Sequence, residues 1–357
     1  MRVCFLGDAG SIHLQRWIQY FLQAGYGVDV ISFRPCEIQG ATVHLLAQGN
    51  GGRLAYLQAV LKIRSLVRKI RPDLLHAHYA TSFGLLALVS GYKPLVVTAW
   101  GSDVLVAPKE SKVLKLIVQQ VLKRADALTS DSTNMSERIL ELLEGQERIL
   151  KTITMGVSRT WFEQIPDSVK KPFQVLSLRG HQTNYNIDVL IKAMPEVTRA
   201  VPQAQLIVAG EGPETEALRS LCVSLGMEKN ISFVGQLPHQ AVQTYLNESA
   251  ISASVPSSDA TAVSLLETMA CGSFPIVTDL PANREWVEDK LNGLLVPVRD
   301  SQALAQAIIK ALCDSDLREQ ARTINHQRVG SKAIWEDNMH EVEELYQKLI
   351  TQRRVIL

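Results

Sequence analysis

Residues 254–272 read SVPSSDATAVSLLETMACG. The run from Ile251 to Val255 that leads into this stretch has strand character, and Pro256, Ser257 and Ser258 interrupt it. Asp259 is therefore predicted on a loop beyond the carboxyl end of a strand, the end at which open α/β sheets bind their ligands. From about Thr261 the spacing of Leu265, Leu266, Met269 and Ala270 is helical. The first turn of such a helix leaves the amides of Ala262, Val263 and Ser264 unpaired and open to an anion. Glu267 follows on the face that carries Val263. A plain reading makes Asp259 a helix N-cap and Glu267 a solvated helical residue. A functional reading places a phosphate at the helix end, one hydroxyl-bearing group beside Asp259 and a second beside Glu267.

Outward from this stretch, 357 residues are too many for one ordinary core and suit two α/β domains of similar size. A hydrophobic content of 46% and a mean hydropathy of +0.04 indicate a soluble globular chain. The net charge of +1 gives no overall attraction to nucleic acid. Cys4, Cys36, Cys222, Cys271 and Cys313 are odd in number, scattered and without a CxxC pair, which predicts reduced thiols in a cytoplasmic protein. Met1 to Leu6 runs straight into a strand pattern, and no apolar stretch approaches the roughly 18 residues that span a bilayer. Membrane contact is accordingly expected to be peripheral, at the inner face.

In the first half, Arg2 to Leu6 reads as a strand, Gly7 to Ser11 as a loop, and Leu14, Trp17, Ile18, Phe21 and Leu22 as a helix that Gly25 ends. His13 stands where a dinucleotide fingerprint needs its third glycine, which disfavours a nicotinamide enzyme. Strands are predicted at Val28 to Phe33, Val43 to Leu46, Leu74 to Ala77, Leu95 to Ala99 and Ala127 to Ser130, with helical patterns such as Leu57 to Ile70 between them. His76 and His78 share one strand face near its carboxyl end. No further ligand spacing accompanies them, so lining a cleft is favoured over binding zinc. Trp100 could offer a ligand a flat apolar face, and Asp103 could accept a hydroxyl hydrogen bond. The alternative is a buried Trp behind a loop-capping Asp. The segments Lys62 to Arg71 and Lys109 to Arg124 are basic and amphipathic, read either as ordinary helices with solvated faces or as faces for anionic membrane.

The pattern loosens from Arg159 to Pro172, and the domain boundary is placed near Pro166. A second set of strands is predicted at Phe173 to Leu178, Gln205 to Ala209, Ile231 to Val234, Ile251 to Val255, Phe274 to Thr278 and Leu294 to Val296. Arg179 follows the first of these, where its fork of donors could grip a diphosphate. Gly210-Glu211-Gly212-Pro213 forms a turn after the second strand. Ile334, Trp335, Met339, Val342, Leu345, Tyr346, Leu349 and Ile350 fall on one helical face at the end of the chain.

Taken in order, these motifs resemble the GT-B glycosyltransferases of family 4. Asp259 and Glu267 match the E-x7-E motif, with Asp259 in place of the first Glu and Ala260-Thr261-Ala262 in place of a glycine-bearing turn. Thr98 to Asp103 resembles T-x-H-G-x-D with Trp100 at the histidine, Gly210 to Pro213 matches G-x-G-P, and Met155 replaces the usual Asn at the interdomain crossover. Tyr185 occupies a position that many relatives fill with lysine. The resemblance implies an α/β fold of two facing Rossmann-like domains with a deep cleft between them. Residues 1–165 would form the acceptor domain and 166–333 the donor domain, with a helix over 334–352 returning to the first.

It further implies that Gly10 and Ser11 approach the donor's diphosphate and that Arg179, Tyr185, Thr261, Ala262, Val263 and Ser264 surround it. The Gly235 to Pro238 loop, with Gln236 and Leu237, would read the base through backbone groups, Gly210 and Glu211 would also bind the donor, Glu267 would hold the ribose and Asp259 the transferred sugar. Asp259, Arg179 and Asp103 are the catalytic candidates, and His13, His78 and Trp100 the acceptor-side ones. The implied activity is retaining transfer of a hexose from a UDP-hexose such as UDP-glucose to a glycan or lipid-linked hydroxyl, with no obligatory metal or cofactor. A binding protein that has lost catalysis and a sugar-nucleotide epimerase are the rival readings.

Overall fold

The computed structural model describes residues 1–47, 52–163 and 169–356. The chain divides into two units, Met1–Met155 with Glu336–Leu357, and Gly156–Trp335. The boundary expected near Pro166 lies outside the described residues.

The described residues of the first unit form seven strands, apolar runs that are buried in the central ones: β1 Arg2–Leu6, β2 Gly27–Ser32, β3 Ala41–Leu45, β4 Leu74–His78, β5 Leu95–Thr98, β6 Ala127–Ser130 and β7 Ile149–Thr152. They form one parallel sheet in the order β3-β2-β1-β4-β5-β6-β7, with Phe5 opposite Val30 on one side and His76 on the other. The sequence reading did not include β7. It is a four-residue edge strand, half-buried at Ile149 and Leu150 and exposed at Lys151 and Thr152, so it lacks the continuous apolar signal of the central strands.

The second unit repeats the plan with β8 Lys171–Ser177, β9 Gln205–Ala209, β10 Ile231–Gly235, β11 Ser249–Ser254, β12 Phe274–Thr278 and β13 Leu294–Val296. Its parallel sheet has the order β10-β9-β8-β11-β12-β13, and Ile251 faces Val175 and Phe274. Helices intervene between most successive strands, as crossovers of parallel strands require, whereas β2 and β3 are joined without one. Each unit is Rossmann-like, and the α/β architecture is the expected one. Strand order reverses between β1 and β4 and again between β8 and β11, so each sheet has a crevice at the carboxyl ends of those pairs.

Three local predictions are corrected. The basic stretch from Lys109 to Arg124 is two helices, Ala107–Glu110 and Lys112–Arg124, because Ser111 adopts extended backbone and its hydroxyl accepts from the Leu114 amide. The helix of the opening stretch begins at Val263, with Ala262 rather than Thr261 at its boundary. Ile334 is outside the terminal helix Trp335–Ile356 and pairs instead with Val157 in an isolated parallel bridge.

Met339, Val342 and Tyr346 on that helix are fully buried, and the Tyr346 ring stacks on Phe21 at 4.9 Å and 12°. The core of the first unit thus closes over a helix that is distant in sequence. In the second unit Val175, Leu190, Met194, Leu206, Ile251, Ile276, Leu304 and Ile308 join in one cluster between sheet and helices. Among the described residues no helix is long and apolar enough to cross a membrane.

Candidate functional site

The crevice between β8 and β11 is where the predicted residues of the second unit meet. Arg179 follows β8 and Asp259 lies on the loop after β11. The Arg179 Nη2 donates to Asp259 Oδ2 at 2.7 Å, and Nη1 donates to the Ser264 hydroxyl at 3.3 Å. The guanidinium carbon sits 4.1 Å from the centroid of the Tyr185 ring, which supports the fork from below. The two paired side chains are 10% and 21% exposed, so the ion pair is sheltered but reachable. Burial raises the Asp259 carboxyl above its usual range, and Arg179 together with the Ala260 amide pulls it back in part.

Asp259 does not cap the helix Val263–Ala270. Its Oδ1 accepts from the Ala260 amide at 3.1 Å, and Ala262 at the cap position offers no side-chain acceptor. The first-turn amides of Val263 and Ser264 are therefore uncapped by any side chain. Thr261 Oγ1, buried just before the helix, has no hydrogen-bond partner among the described residues. Uncapped amides, an orphaned hydroxyl and a guanidinium in one place are the donor set for a phosphate group. Glu267 is half-buried one turn further along.

Two asparagines that the sequence reading passed over fix the spacing of these loops. Asn184 Nδ2 donates to the Ser258 carbonyl at 2.9 Å, and the Ser257 amide donates to the Asn184 carbonyl at 2.8 Å. Asn186 Nδ2 donates to the Val255 carbonyl at 2.8 Å and to the Ser257 hydroxyl at 2.9 Å. Asn186 is 2% exposed and left-handed, with φ 49°, which asparagine tolerates better than most residues. The available signal was the pair of Asn residues flanking Tyr185.

The loops after β9 and β10 complete the crevice. The Gly210 amide donates to the Gly235 carbonyl at 2.8 Å, and the His181 amide donates to the Glu211 carbonyl at 3.0 Å. A Cβ on Gly210 would meet the Arg179 carbonyl at 2.7 Å, and one on Gly212 the His181 carbonyl at 2.5 Å. Only glycine lets these turns lie against the Arg179 loop. Gln236 is exposed and Leu237 half-buried on the same loop as Gly235. A separate cavity of about 460 Å³, lined by Gln182, Thr183, Asp188, Lys192, Glu214 and Arg299 among others, includes neither Arg179 nor Asp259.

In the first unit, the crevice between β1 and β4 collects the three acceptor-side candidates. Trp100 Nε1 donates to His78 Nδ1 at 3.1 Å, the two rings stack at 5.6 Å, and His13 lies 5.3 Å from Trp100. The bond fixes the tautomer of His78, leaving the proton on Nε2, which is buried without a partner among the described residues. His76 is hydrogen bonded to the Tyr346 hydroxyl and, at 2.6 Å, to Thr98 Oγ1. Burial holds both histidines neutral, with His78 pushed down to about 3. Asp103 is 1% exposed, and its oxygens accept from the amides of Ala80, Trp100 and Gly101 at 2.7, 3.0 and 3.0 Å. Its carboxylate thereby ties down the Trp100 loop. Gly10 and Ser11 lie on the β1 loop, where the Asp8 side chain and carbonyl accept their amides at 3.0 and 2.9 Å. Among the described residues no three His, Cys, Asp or Glu side chains group as metal ligands.

Residues 2–132 match the family model described as Glycosyl transferase 4-like, and residues 158–328 match that of Glycosyl transferases group 1. N-acetyl-alpha-D-glucosaminyl L-malate synthase of Bacillus anthracis is 23% identical over 289 residues, covering 76% of this chain and 75% of that one. Phosphatidyl-myo-inositol mannosyltransferase of Mycolicibacterium smegmatis is 25% identical over 336 residues, covering 86% and 81%. The fold is also that of Anabaena HepE in its complex with UDP, with a TM-score of 0.81 at 18% identity over 98% of this chain and 100% of that one. The two matched segments between them take in both Rossmann-like units and both crevices, and on that ground the chain belongs to the family-4-like GT-B glycosyltransferases.

Proposed function

We propose that the protein is a retaining glycosyltransferase that moves a hexose from a UDP-hexose, UDP-glucose in the first instance, to a hydroxyl acceptor during polysaccharide or lipid-linked glycan assembly. The observation that carries this reading is the meeting of Arg179, Ser264, Thr261 and the uncapped helix Val263–Ala270 at the β8/β11 crevice. That set suits the diphosphate of a nucleotide sugar, with Glu267 on the ribose and the Gly210–Glu211 and Gln236–Leu237 backbone beside the base. UDP is the nucleotide in the HepE complex, and the two relatives are named a glucosaminyl malate synthase and a mannosyltransferase.

Catalysis in this reading is positioning and charge stabilisation. Arg179 and the first-turn amides take up negative charge as the diphosphate departs, so no obligatory metal or other cofactor is called for. The leaving phosphate accepts the acceptor's proton on the face from which it left, and configuration is retained. Tyr185 keeps the guanidinium in plane. Asp103 acts through the Trp100 loop, and Trp100, held from behind by the buried His78, presents with His13 an aromatic surface to the incoming acceptor.

The basic faces fit an acceptor held at a membrane. Leu54, Leu57 and Leu61 are exposed beside Lys62, Arg64 and Arg68, and Val113 and Leu116 beside Lys112 and Lys115. Leucine and lysine or arginine together suit the surface of an anionic bilayer, which supports peripheral contact at the cytoplasmic face in this reading. Sedimentation with anionic liposomes at low salt tests that contact, and a protein that stays in the supernatant removes it.

The test of the activity is a panel of nucleotide sugars screened by thermal shift, followed by release of free sugar from those that bind. UDP-glucose is expected to raise the melting temperature and to be slowly hydrolysed without acceptor. An altered sugar still joined to UDP would replace transfer by epimerisation, and binding without turnover over an acceptor panel would leave a binding protein.

A further inference from the structure

Arg179 has one guanidinium and several claims upon it. Asp259 holds Nη2 at 2.7 Å, the Ser264 hydroxyl holds Nη1 at 3.3 Å, and the Tyr185 ring covers one face of the fork. These two bonds use two of the five N–H donors, and a diphosphate that takes the Nη1–Nη2 edge of the fork competes with Asp259 for Nη2. The group that lies against the fork is the uncharged Tyr185 ring, which brings no second positive charge of its own.

We propose that donor binding is a partner exchange, in which the diphosphate takes the guanidinium of Arg179 from Asp259 and Asp259 takes up one proton, remaining in the site as a neutral carboxylic acid. The inference rests on the assignment of the diphosphate to Arg179 made above. Three features of the crevice lead to it. Arg179 is, among the described residues, the charged group that acts on Asp259, so its loss leaves the carboxylate without a counter-charge. The carboxyl is sheltered enough that burial already disfavours its charged form even with Arg179 in place. And its Oδ1 stays bonded to the Ala260 amide, which keeps the group where it is while Oδ2 is free to carry the proton.

The charge balance is direct. Before exchange, carboxylate and guanidinium cancel. Afterwards the guanidinium faces the diphosphate, and a carboxylate left at the same place would repel it. One proton drawn from solvent removes that repulsion and turns an acceptor into an O–H donor aimed at the departing phosphate or a hydroxyl of the transferred sugar. The other titratable groups of the surrounding elements are His181 and Tyr185 on the loop after β8, Glu211 and Glu214 on the loop after β9 and Glu267 along the helix Val263–Ala270, and burial lowers His181 from its usual range.

A group that is protonated in the complex and ionised in the free protein makes binding tighter as pH falls. Across the interval between the two protonation midpoints, affinity weakens by up to about tenfold for each unit of rising pH. Asn at position 259 is neutral throughout and needs no proton.

The experiment is calorimetric titration of the full chain and of Asp259→Asn with UDP-glucose and, separately, GDP-mannose, whose diphosphate diesters do not titrate near neutral pH. Each titration is run in two buffers of different ionisation enthalpy. For the wild type, the buffer dependence is expected to report uptake approaching about one proton per donor bound, with the pH trend above. For Asp259→Asn the uptake disappears, and at alkaline pH the affinity exceeds that of the wild type. Wild-type binding with no buffer dependence, or uptake that persists in Asp259→Asn, overturns the exchange while leaving donor binding intact. Failure of every nucleotide sugar to bind the wild type overturns the functional reading and the exchange with it.

Discussion

The two sheets reverse strand order in the same manner, but the crevices they create are filled by opposite means. Between β1 and β4 the side chains that meet are neutral and bonded to one another, with His78 Nε2 left over: His76 on Tyr346 and Thr98, Thr98 on Thr129 at 2.5 Å, and Trp100 on His78. Between β8 and β11 a full positive and a full negative charge face each other in a half-open loop crevice, next to uncapped helix amides. The first arrangement shapes a surface, and its groups cannot change partners without breaking the core. The second can change partners at small structural cost, because Asn184 and Asn186 hold the loops whatever the charges do. One topology thus supplies two kinds of site, and the loops decide which.

Tyr346→Ala is the severest way to break the first arrangement. Removing a fully buried aromatic ring costs about 3–5 kcal/mol, measured by denaturant unfolding, and leaves His76 short of a partner. A loss below about 1 kcal/mol would mean that the terminal helix is not part of the core. In the second crevice, Arg179→Ala is expected to lower kcat/KM about a hundred- to a thousandfold, the range for loss of one preorganised donor. Little change there would move the diphosphate elsewhere.

Glu267→Ala should weaken UDP binding by about 1.5–3 kcal/mol, as for a hydrogen bond to a charged group. Binding by equilibrium titration that equals the wild type would take Glu267 out of the ribose site. The gentlest probe is pH. Histidine in the unfolded chain titrates near 6.5, whereas His76 and His78 stay neutral in the fold, so the unfolded state binds protons first. Stability is therefore lost as pH falls below about 6.5, by up to about 1.4 kcal/mol per pH unit for each histidine, until folded His78 titrates at about 3. Unfolding free energies at stepped pH should show a slope that is shallower in His78→Gln, and an unchanged slope would contradict the neutral pair.

Much of this was visible in the chain before its structure. Strands such as Gln205–Ala209, Phe274–Thr278 and Leu294–Val296 are short, mainly apolar runs with clear breaks, and the middle one is buried throughout. Edge strand Ile149–Thr152 was hidden because one end of it faces water. The break at Ser111 was hidden because periodicity hardly registers a single extended residue. At the site, residue types were legible but their partners were not: Arg179 and Asp259 are 80 positions apart, and only the register of β8 beside β11 brings them together. Asp259 read alone looks like an N-cap, and the structure gives that carboxylate to Arg179 and the Ala260 amide instead. Asn184 and Asn186 bear no motif at all; their importance lies in hydrogen bonds to a segment about 70 residues downstream.

The asparagine bonds have a practical corollary for anyone grafting this site. Residues 179–186 and 255–259 behave as a single cassette, since each loop supplies the acceptors that position the other. A chimera that imports one loop from a relative and keeps the other would misalign both, however similar the imported residues look. Donor preference should therefore be transplanted, or expected to drift in evolution, by exchanging the two segments together.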